Sequence, residues 1–167
     1  MQPIITSRTL ISDISLTDID AIHSIRTNDI VNKYIGRDSN STLEKTETFI
    51  RDRISDVKSN KAYYWVIKLK ESNDTIGTIC LYNINESRTE AEIGYELLPE
   101  YHGKGIMKEV LPEIISHAFE DLGFEIITAF PSKENVASVR LLQKLGFTYD
   151  ENAELIEGEF IDFRLNK

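Results

Sequence analysis

The stretch YHGKGIMKEV at residues 101–110 places Gly103 and Gly105 on either side of a lysine. It follows a strand-like apolar run and leads into residues with helical periodicity. A turn of this kind aims several backbone N–H groups outward at the positive end of a helix dipole, where an anion is stabilised. Glycine at both positions lets that anion approach the main chain closely. Taken alone, the stretch is compatible with an anion-binding turn and with a plain structural turn.

The turn matches neither of the two most familiar phosphate-binding patterns. The Walker A pattern GxxxxGK[ST] is absent, and Lys108 stands where the dinucleotide pattern GxGxxG requires its third glycine. If the turn binds an anion, we expect that anion to be a pyrophosphate held in another way.

The charge balance restricts the partners. The chain has 19 Lys and Arg residues against 28 Asp and Glu residues, a formal net charge of -9. A nucleic acid would meet a mostly repulsive field, so we expect no nucleic-acid partner and favour a cationic amine. No segment approaches the ~20 apolar residues that span a bilayer, and the N-terminus lacks the pattern of a secretory leader. We therefore expect a cytoplasmic protein with no membrane partner.

The cysteine and histidine content points to neither disulfides nor a metal site. The single cysteine, Cys80, excludes an intramolecular disulfide. The spacing of His23, His102 and His117 does not resemble a set of metal ligands, so no metal is predicted. At 167 residues the chain fits one domain, spanning residues 1–167.

Hydrophobic periodicity predicts four helices and seven strands. Thr17 caps the first helix and a capping box at residues 41–44 starts the second. The third helix begins after Gly105 and the fourth at about Asn135. The predicted strands lie near residues 9–14, 62–69, 75–84, 91–98 and 124–130, followed by a hairpin from 147 to 165 that turns near Gly158.

The order of these elements defines the fold class. It runs strand, two helices, three strands, helix, strand, helix, two strands, which predicts an α/β (α+β) domain around one mixed, mostly antiparallel seven-stranded sheet. The strand at 91–98, the helix after it and the strand at 124–130 form a crossover. Those two strands should therefore be parallel.

Three segments together resemble the acetyl-CoA-binding core of the GNAT superfamily of N-acetyltransferases. They are AEIGYEL before the glycine turn, GKGIM at the following helix start and, further along, ENVASVRLLQKLGF. The opening SRTLISDISLTDIDAI and the closing AELIEGEFIDFRL resemble its RimJ/RimL-type branch of ribosomal-protein N-terminal acetyltransferases. The likeness covers nearly the whole chain. The family's phosphate loop reads Gln/Arg-x-x-Gly-x-Gly/Ala, whereas this chain has His102 first and Met107 last.

This resemblance implies acetyl-CoA as the cofactor and assigns residues to its parts. Main-chain N–H groups of the loop would hold the pyrophosphate, and Leu97 and Leu98 would pair with the pantetheine arm as a strand does. Asn135 would reach the cofactor amide or phosphate, and Ser138 would lie near the sulfur. Asn135 is also compatible with a simple helix-start role. The loop residues concerned are His102, Gly103, Lys104, Gly105, Ile106 and Met107.

The chemistry of acetyl transfer restricts which amines can act as the acceptor. Transfer requires an uncharged amine, donors for the developing oxyanion and a proton for the departing thiolate. An α-amine with a pKa of ~7.7–8.0 is roughly a tenth neutral at pH 7, whereas a lysine side chain is almost fully protonated. We therefore expect a peptide or protein N-terminus as acceptor. A polyamine and an antibiotic amine are alternatives, and so, from another class, is a catalytically silent acetyl-CoA-binding module.

Two glutamates are the main candidates for the general base. Glu92 lies on the strand beside the expected cofactor. Glu154 lies in AELIEG, which resembles the segment of RimL-type enzymes that holds their proposed catalytic glutamate. We favour Glu154, and Glu96 and Glu157 stay open.

Other roles follow from the resemblance. The superfamily often protonates the thiolate with a tyrosine, but Leu142 stands at that position, which leaves Ser138 or water. A main-chain N–H near Leu97 or Leu98 would stabilise the oxyanion. We expect direct transfer in a ternary complex, without a covalent enzyme intermediate.

Aromatic side chains could line the groove that receives the amine. Tyr34, Tyr63, Tyr64 and Trp65 are compatible with this role, and Tyr34 and Trp65 are the candidates we name, although aromatic residues at strand or helix spacing are more often core residues. The oligomeric state stays open between monomer and homodimer.

Overall fold

Within the part of the chain that the structure describes, seven strands lie side by side in chain order in one sheet. The computed structural model describes residues 2–37, 39, 41–149 and 159–167. The strands are β1 Ile4–Ile5, β2 Thr9–Asp13, β3 Tyr63–Leu69, β4 Thr75–Tyr82, β5 Glu90–Leu97, β6 Ile126–Ala129 and β7 Phe163–Asn166. All neighbours pair antiparallel except β5 and β6, which are parallel. The predicted fold class and the parallel crossover are therefore confirmed.

The described residues form five helices. They are α1 Ile19–Arg26, α2 Asp29–Asn32, α3 Leu43–Lys58, α4 Ile106–Glu120 and α5 Val136–Lys144. The four-residue α2 was not predicted; the Asn28 side chain accepts hydrogen bonds from the first N–H groups of this helix. None of the described helices is long and apolar enough to cross a membrane.

Two predicted helix starts are shifted. A 3₁₀ turn precedes α1, and its cap is Ser15, whose N–H donates to the Asp18 carboxylate at 3.0 Å. This helical segment is therefore capped at Ser15 rather than at the predicted Thr17. In α3 the cap is Thr42, whose hydroxyl accepts from the Lys45 N–H at 3.3 Å. This is one residue beyond the predicted cap. Neighbouring hydroxyl-bearing residues can all cap a helix, so the pattern defines the region rather than the residue.

The predicted C-terminal hairpin is described only in part. Its second strand is confirmed as β7, and Thr148, near its start, forms an isolated bridge to Arg164. The rest of its first strand and the predicted turn at Gly158 lie outside the described residues. A strand that was not predicted, β1, lies at the N-terminus, where Ile4 pairs with Ile11. A two-residue strand is too short to show a period-two pattern.

Helices cover both faces of the sheet. On one face α4 buries Val110, Ile114 and Ala118 in a cluster with Ile79 and Ile93. Each fully buried aliphatic side chain contributes roughly 1.5–3 kcal/mol, so α4 is firmly held. The opposite face packs Ile22 of α1 and Ile50 of α3 against Tyr64 and Val66 of β3.

The sheet opens between β5 and β6. These strands pair only over residues 90–92 and 126–128, and β5 then continues alone on that edge to Leu97. The Leu98 N–H donates to the Ile76 carbonyl of β4 at 2.9 Å. Because N–H groups alternate between the two edges of an antiparallel strand, those of Tyr95 and Leu97 face the opening.

Candidate active site

A cavity of about 1000 Å³ occupies the opening beside β5. Ile93 and Leu97 line it from the face covered by α4, and Glu92 and Glu96 line it from the other face. One cavity can contact both faces of the strand because β6 has separated from β5. The glycine turn forms one end of this cavity, and residues of α1 and α3 form the other.

The glycine turn has the backbone that an anion cradle requires. Gly103 and Gly105 have φ values of +71° and +77°, in the left-handed region, and Gly105 immediately precedes α4. A Cβ added at Gly103 would meet nothing within 4 Å, so the space beside the turn is open. His102, Gly103, Gly105, Ile106 and Met107 all line the cavity. The turn and the free N–H groups of the first helical turn fit a pyrophosphate.

Arg8 holds this turn from outside. Its Nη1 donates to the Lys104 carbonyl at 2.8 Å, and its Nε donates to Glu109 Oε1 at 2.6 Å. The hydrogen bond from Arg8 lowers the pKa of Glu109. Sequence reasoning missed Arg8, because this residue lies far from the turn along the chain. Lys104 contributes its carbonyl to this contact.

Leu97 ends β5 and Leu98 follows it, and the two differ in whether their backbone N–H group is free to bind a ligand. Leu97 lines the cavity at the open edge, and its carbonyl accepts a hydrogen bond from His102 Nε2 at 2.7 Å. The Leu98 N–H is already bonded to Ile76. The expectation that Leu98 offers its N–H to the cofactor or to an oxyanion is therefore corrected, and only Leu97 keeps that possibility.

The start of α5 brings Asn135 and Ser138 to the cavity. Asn135 Oδ1 accepts from the Ser138 N–H at 3.2 Å, so Asn135 caps the helix as well as lining the cavity. The Ser138 hydroxyl lies 2.7 Å from the Tyr95 hydroxyl. Burial raises the pKa of Tyr95, which keeps its proton on the phenol. Tyr95 had not been singled out from the sequence; its period-two position on β5 with Ile93 and Leu97 was the available signal.

Glu92 faces the cavity with both carboxylate oxygens occupied. One accepts a hydrogen bond from the Tyr82 hydroxyl, and the other accepts from Asn83 Nδ2 at 2.7 Å. Burial raises the pKa of Tyr82 above its ordinary value, and the contact with Glu92 adds to the rise. The two other candidates, Glu154 and Glu157, lie outside the described residues.

Glu96 is engaged in a buried network. Its Oε2 accepts from Arg37 Nη2 at 2.8 Å, and its Oε1 accepts from the Thr78 hydroxyl at 3.1 Å. The side chain of Glu96 is only 8% exposed. Both carboxylate oxygens of Glu96 are therefore already engaged by donors of the protein.

The two aromatic candidates for the acceptor groove are placed differently. Tyr34 lines the cavity. Trp65 is 2% exposed in the core, stacked on Tyr63 and in contact with the His117 ring of α4. Its neighbour Tyr64 points to the opposite face and lines the cavity. The expectation that Trp65 lines the acceptor groove is thus corrected, because Trp65 lies in the core, whereas Tyr64 lines the cavity.

Cys80 lines the cavity but is not set up as a nucleophile. Burial raises the pKa of its thiol to about 12. The Sγ atom lies 3.6 Å from the Gly94 carbonyl oxygen, to which it donates. Because the thiolate is the reactive form, this thiol is inert at neutral pH.

Arginines around Phe49 form the far end of the cavity. Arg26, Arg37 and Arg53 all line it there. Sequence reasoning missed them, although a signal existed: Arg26 lies one helical turn after the buried Ile22, on the core-facing side of α1. A charged residue on the apolar face of a helix is unusual, and its position suggests a structural or functional role.

Comparison with known proteins identifies the family. The model of the acetyltransferase (GNAT) domain matches residues 8–148. The chain belongs to the GNAT acetyltransferases. An uncharacterized N-acetyltransferase of Bacillus subtilis, YoaA, is 32% identical over 148 residues, which are 88% of this chain and 84% of that protein. This chain is accordingly an acetyl-CoA-dependent N-acetyltransferase.

Solved structures show that this GNAT chain has the fold of enzymes named for different acceptors. The spermidine N-acetyltransferase of Vibrio cholerae, in complex with CoA and spermine, matches with a TM-score of 0.85 and 19% identity over 96% of both chains. The ribosomal-protein-S5-alanine acetyltransferase of Vibrio fischeri matches with a TM-score of 0.82 and 22% identity over 99% of this chain and 97% of that one. At these identities the likeness concerns the fold.

Proposed function

We propose that this enzyme transfers the acetyl group of acetyl-CoA directly to the α-amine of a peptide or protein N-terminus, as RimJ/RimL-type enzymes do. The observation that carries the proposal is the single cavity that connects the glycine turn, the open edge of β5 and the carboxylate of Glu92. A donor held at one end and an amine entering from the other would meet beside β5. No covalent relay between two separate sites is then required.

Acetyl-CoA, when bound, supplies the thioester carbonyl that the amine attacks. The backbone N–H groups of the turn at 103–107 would hold its diphosphate, with Arg8 fixing the turn. The N–H groups of Tyr95 and Leu97 on the open edge are donors for an extended amide-containing arm and for charge on the carbonyl oxygen. The Leu97 carbonyl is already taken by His102, so this residue contributes its N–H alone.

The amine must lose its proton before it reacts. We propose Glu154 as the base, on the resemblance of AELIEG to the corresponding segment of RimL-type enzymes. Glu92 is the second candidate. Its hydrogen bonds from Tyr82 and Asn83 hold a carboxylate at the cavity wall, where it would attract and orient an ammonium group.

The thiolate that leaves must gain a proton. Ser138 is the proposed donor, and Tyr95 supports it, because the two hydroxyls lie 2.7 Å apart. The Tyr95 phenol, whose proton burial holds in place, would orient the Ser138 hydroxyl through this contact, and the proton that Ser138 gives would be replaced from water. Acid catalysis of this kind contributes typically ~10²–10⁴-fold.

A panel of acceptors tests the proposal. Release of CoA thiol is measured with N-terminal peptides, free lysine, spermidine and an aminoglycoside, and thermal unfolding is measured with and without CoA. We expect peptide turnover, and a CoA-dependent stabilisation of ~2.7 kcal/mol at a hundredfold excess over the dissociation constant. Stabilisation by CoA without turnover of any amine would instead favour the silent binding module, and preferential turnover of spermidine would favour a polyamine enzyme.

A further inference from the structure

Three guanidinium groups converge at the end of the cavity that residues of α1 and α3 form, which we call the acceptor end. The Arg26 guanidinium carbon lies 3.7 Å from the Phe49 ring centroid, and that of Arg53 lies 5.3 Å from the same centroid. Arg37 is close enough to Arg26 to disfavour its charge. All four side chains line the cavity. This is a local concentration of positive charge in a chain whose net charge is -9.

Two of these arginines already have carboxylate partners. Arg37 pairs with Glu96 at 2.8 Å, and Arg53 pairs with Asp56 at 2.8 Å. Arg26 has neither an ion pair nor a donated hydrogen bond within the part of the chain that the structure describes. Its guanidinium carbon lies over the Phe49 ring, a cation–π contact that leaves the hydrogen-bonding capacity of its N–H groups unused.

The surroundings of Arg26 make its unpaired charge energetically costly unless a ligand binds to it. Its Nε is fully buried and without a hydrogen-bond partner. Burial lowers the pKa of Arg26, and the nearby Arg37 lowers it further. A buried charged donor is stable when a counter-charge reaches it, and the nearby carboxylate that favours the charge of Arg26, that of Glu96, is already bonded to Arg37.

We infer that Arg26 binds an anionic group of the acceptor, so that the preferred substrate is an amine that carries a carboxylate or phosphate near its amino group. This inference rests on the proposed function, since it describes the acceptor of the same reaction. The cavity then offers a carboxylate, Glu92, toward the amine and a guanidinium, Arg26, toward the anion. A polyamine, which has cations along its whole length, lacks a group that Arg26 can bind.

Matched peptide amides test this inference, because they share one α-amine and differ only in the anion. The pairs are Ala-Glu-NH2 against Ala-Gln-NH2 for a carboxylate and Ala-phosphoserine-NH2 against Ala-Ser-NH2 for a phosphate, with spermidine as the amine that has no anion. At saturating acetyl-CoA, we expect kcat/KM to favour an anionic member by about tenfold or more. The pair with the larger ratio identifies the anion.

Substitution links the preference to Arg26. In Arg26→Gln the ratio should fall to within about twofold of one. Arg26→Lys should retain part of the preference, since a lysine keeps the charge but not the two-pronged guanidinium. Arg51→Gln removes the same charge from an exposed position of α3 and should leave the ratio unchanged. Thermal unfolding and CoA binding of each variant confirm folding.

The possible failures are distinguishable. Equal turnover of the members of both pairs, a preference for spermidine, or an anion preference that survives in Arg26→Gln overturns this inference and leaves acetyl transfer intact. Absence of turnover with every amine, when CoA still binds, overturns the proposed function and this inference with it.

Discussion

The imidazole of His102 donates from Nε2 to the main-chain carbonyl of Leu97 at 2.7 Å. A carbonyl only accepts hydrogen bonds, so Nε2 carries a proton. This contact ties the first residue of the glycine turn to the open end of β5. The two surfaces that would hold the diphosphate and the pantetheine arm are therefore fixed relative to each other by one side chain.

Removing this contact should weaken cofactor binding. We expect His102→Ala to raise the dissociation constant of CoA about 3- to 10-fold, which corresponds to the loss of one hydrogen bond. His102→Gln keeps a side-chain donor and should bind CoA within about twofold of the wild type. Isothermal titration with CoA measures both. Equal weakening in the two variants would contradict a role for the hydrogen bond.

The second glycine of the turn should be irreplaceable. In Gly105→Glu, a side chain at φ +77° is strained and a carboxylate enters the anion site, so we expect the dissociation constant of CoA to rise at least about 100-fold. Gly123, after the other end of α4, has the same φ of +77° and open space around it. Gly123→Glu is therefore the matched control and should bind CoA normally.

The identity of the base should appear in the pH dependence of the rate. We expect Glu154→Gln to leave CoA binding intact and to lower kcat by about 100-fold, most strongly at low pH. The neutral fraction of an amine falls tenfold with each pH unit below its pKa, so help from a base matters most there. Glu92→Gln, measured over the same pH range, is the comparison. A larger loss in that variant would assign the base to Glu92.

The pair Ser138 and Tyr95 should act in the departure of the thiolate. We expect Ser138→Ala to lower kcat by about 10- to 100-fold with an unchanged dissociation constant for CoA. Tyr95→Phe removes the partner hydroxyl and should give a smaller loss. Rates with a thioester whose thiol is more acidic provide the check. A better leaving group should restore both variants if they are impaired in proton donation.

Cys80 should be dispensable and unreactive. With its pKa raised to about 12 by burial, the thiol is deprotonated in only about one molecule in 10⁴ at pH 8. Raising the pH toward 12 increases the thiolate fraction, so alkylation of the native enzyme by iodoacetamide should be slow at pH 8 and accelerate with pH. Cys80→Ala should keep kcat within about twofold. Loss of turnover in this variant would argue for an enzyme-bound acyl group.

Some features of this protein follow from the sequence because they depend on local chemistry. Positive φ favours glycine wherever it occurs, so Gly103 and Gly105 mark a tight turn without reference to the rest of the chain. Period-two and helical patterns likewise define most elements, and the order of those elements predicts the parallel crossover. The short β1 escaped this reasoning, because two residues are too few to show a period.

The acceptor end of the cavity was decided by the tertiary structure. Tyr64 and Trp65 are neighbours with similar chemistry, but their side chains lie on opposite faces of β3, and only the packing of the helices determines which of the two lines the cavity. Arg26 and Phe49 come from different helices, and their contact exists only once α1 and α3 lie side by side. The net charge of the chain favoured a cationic acceptor. Charges act over short distances in salt solution, however, and the arginines that surround this part of the cavity favour an anionic group on the acceptor.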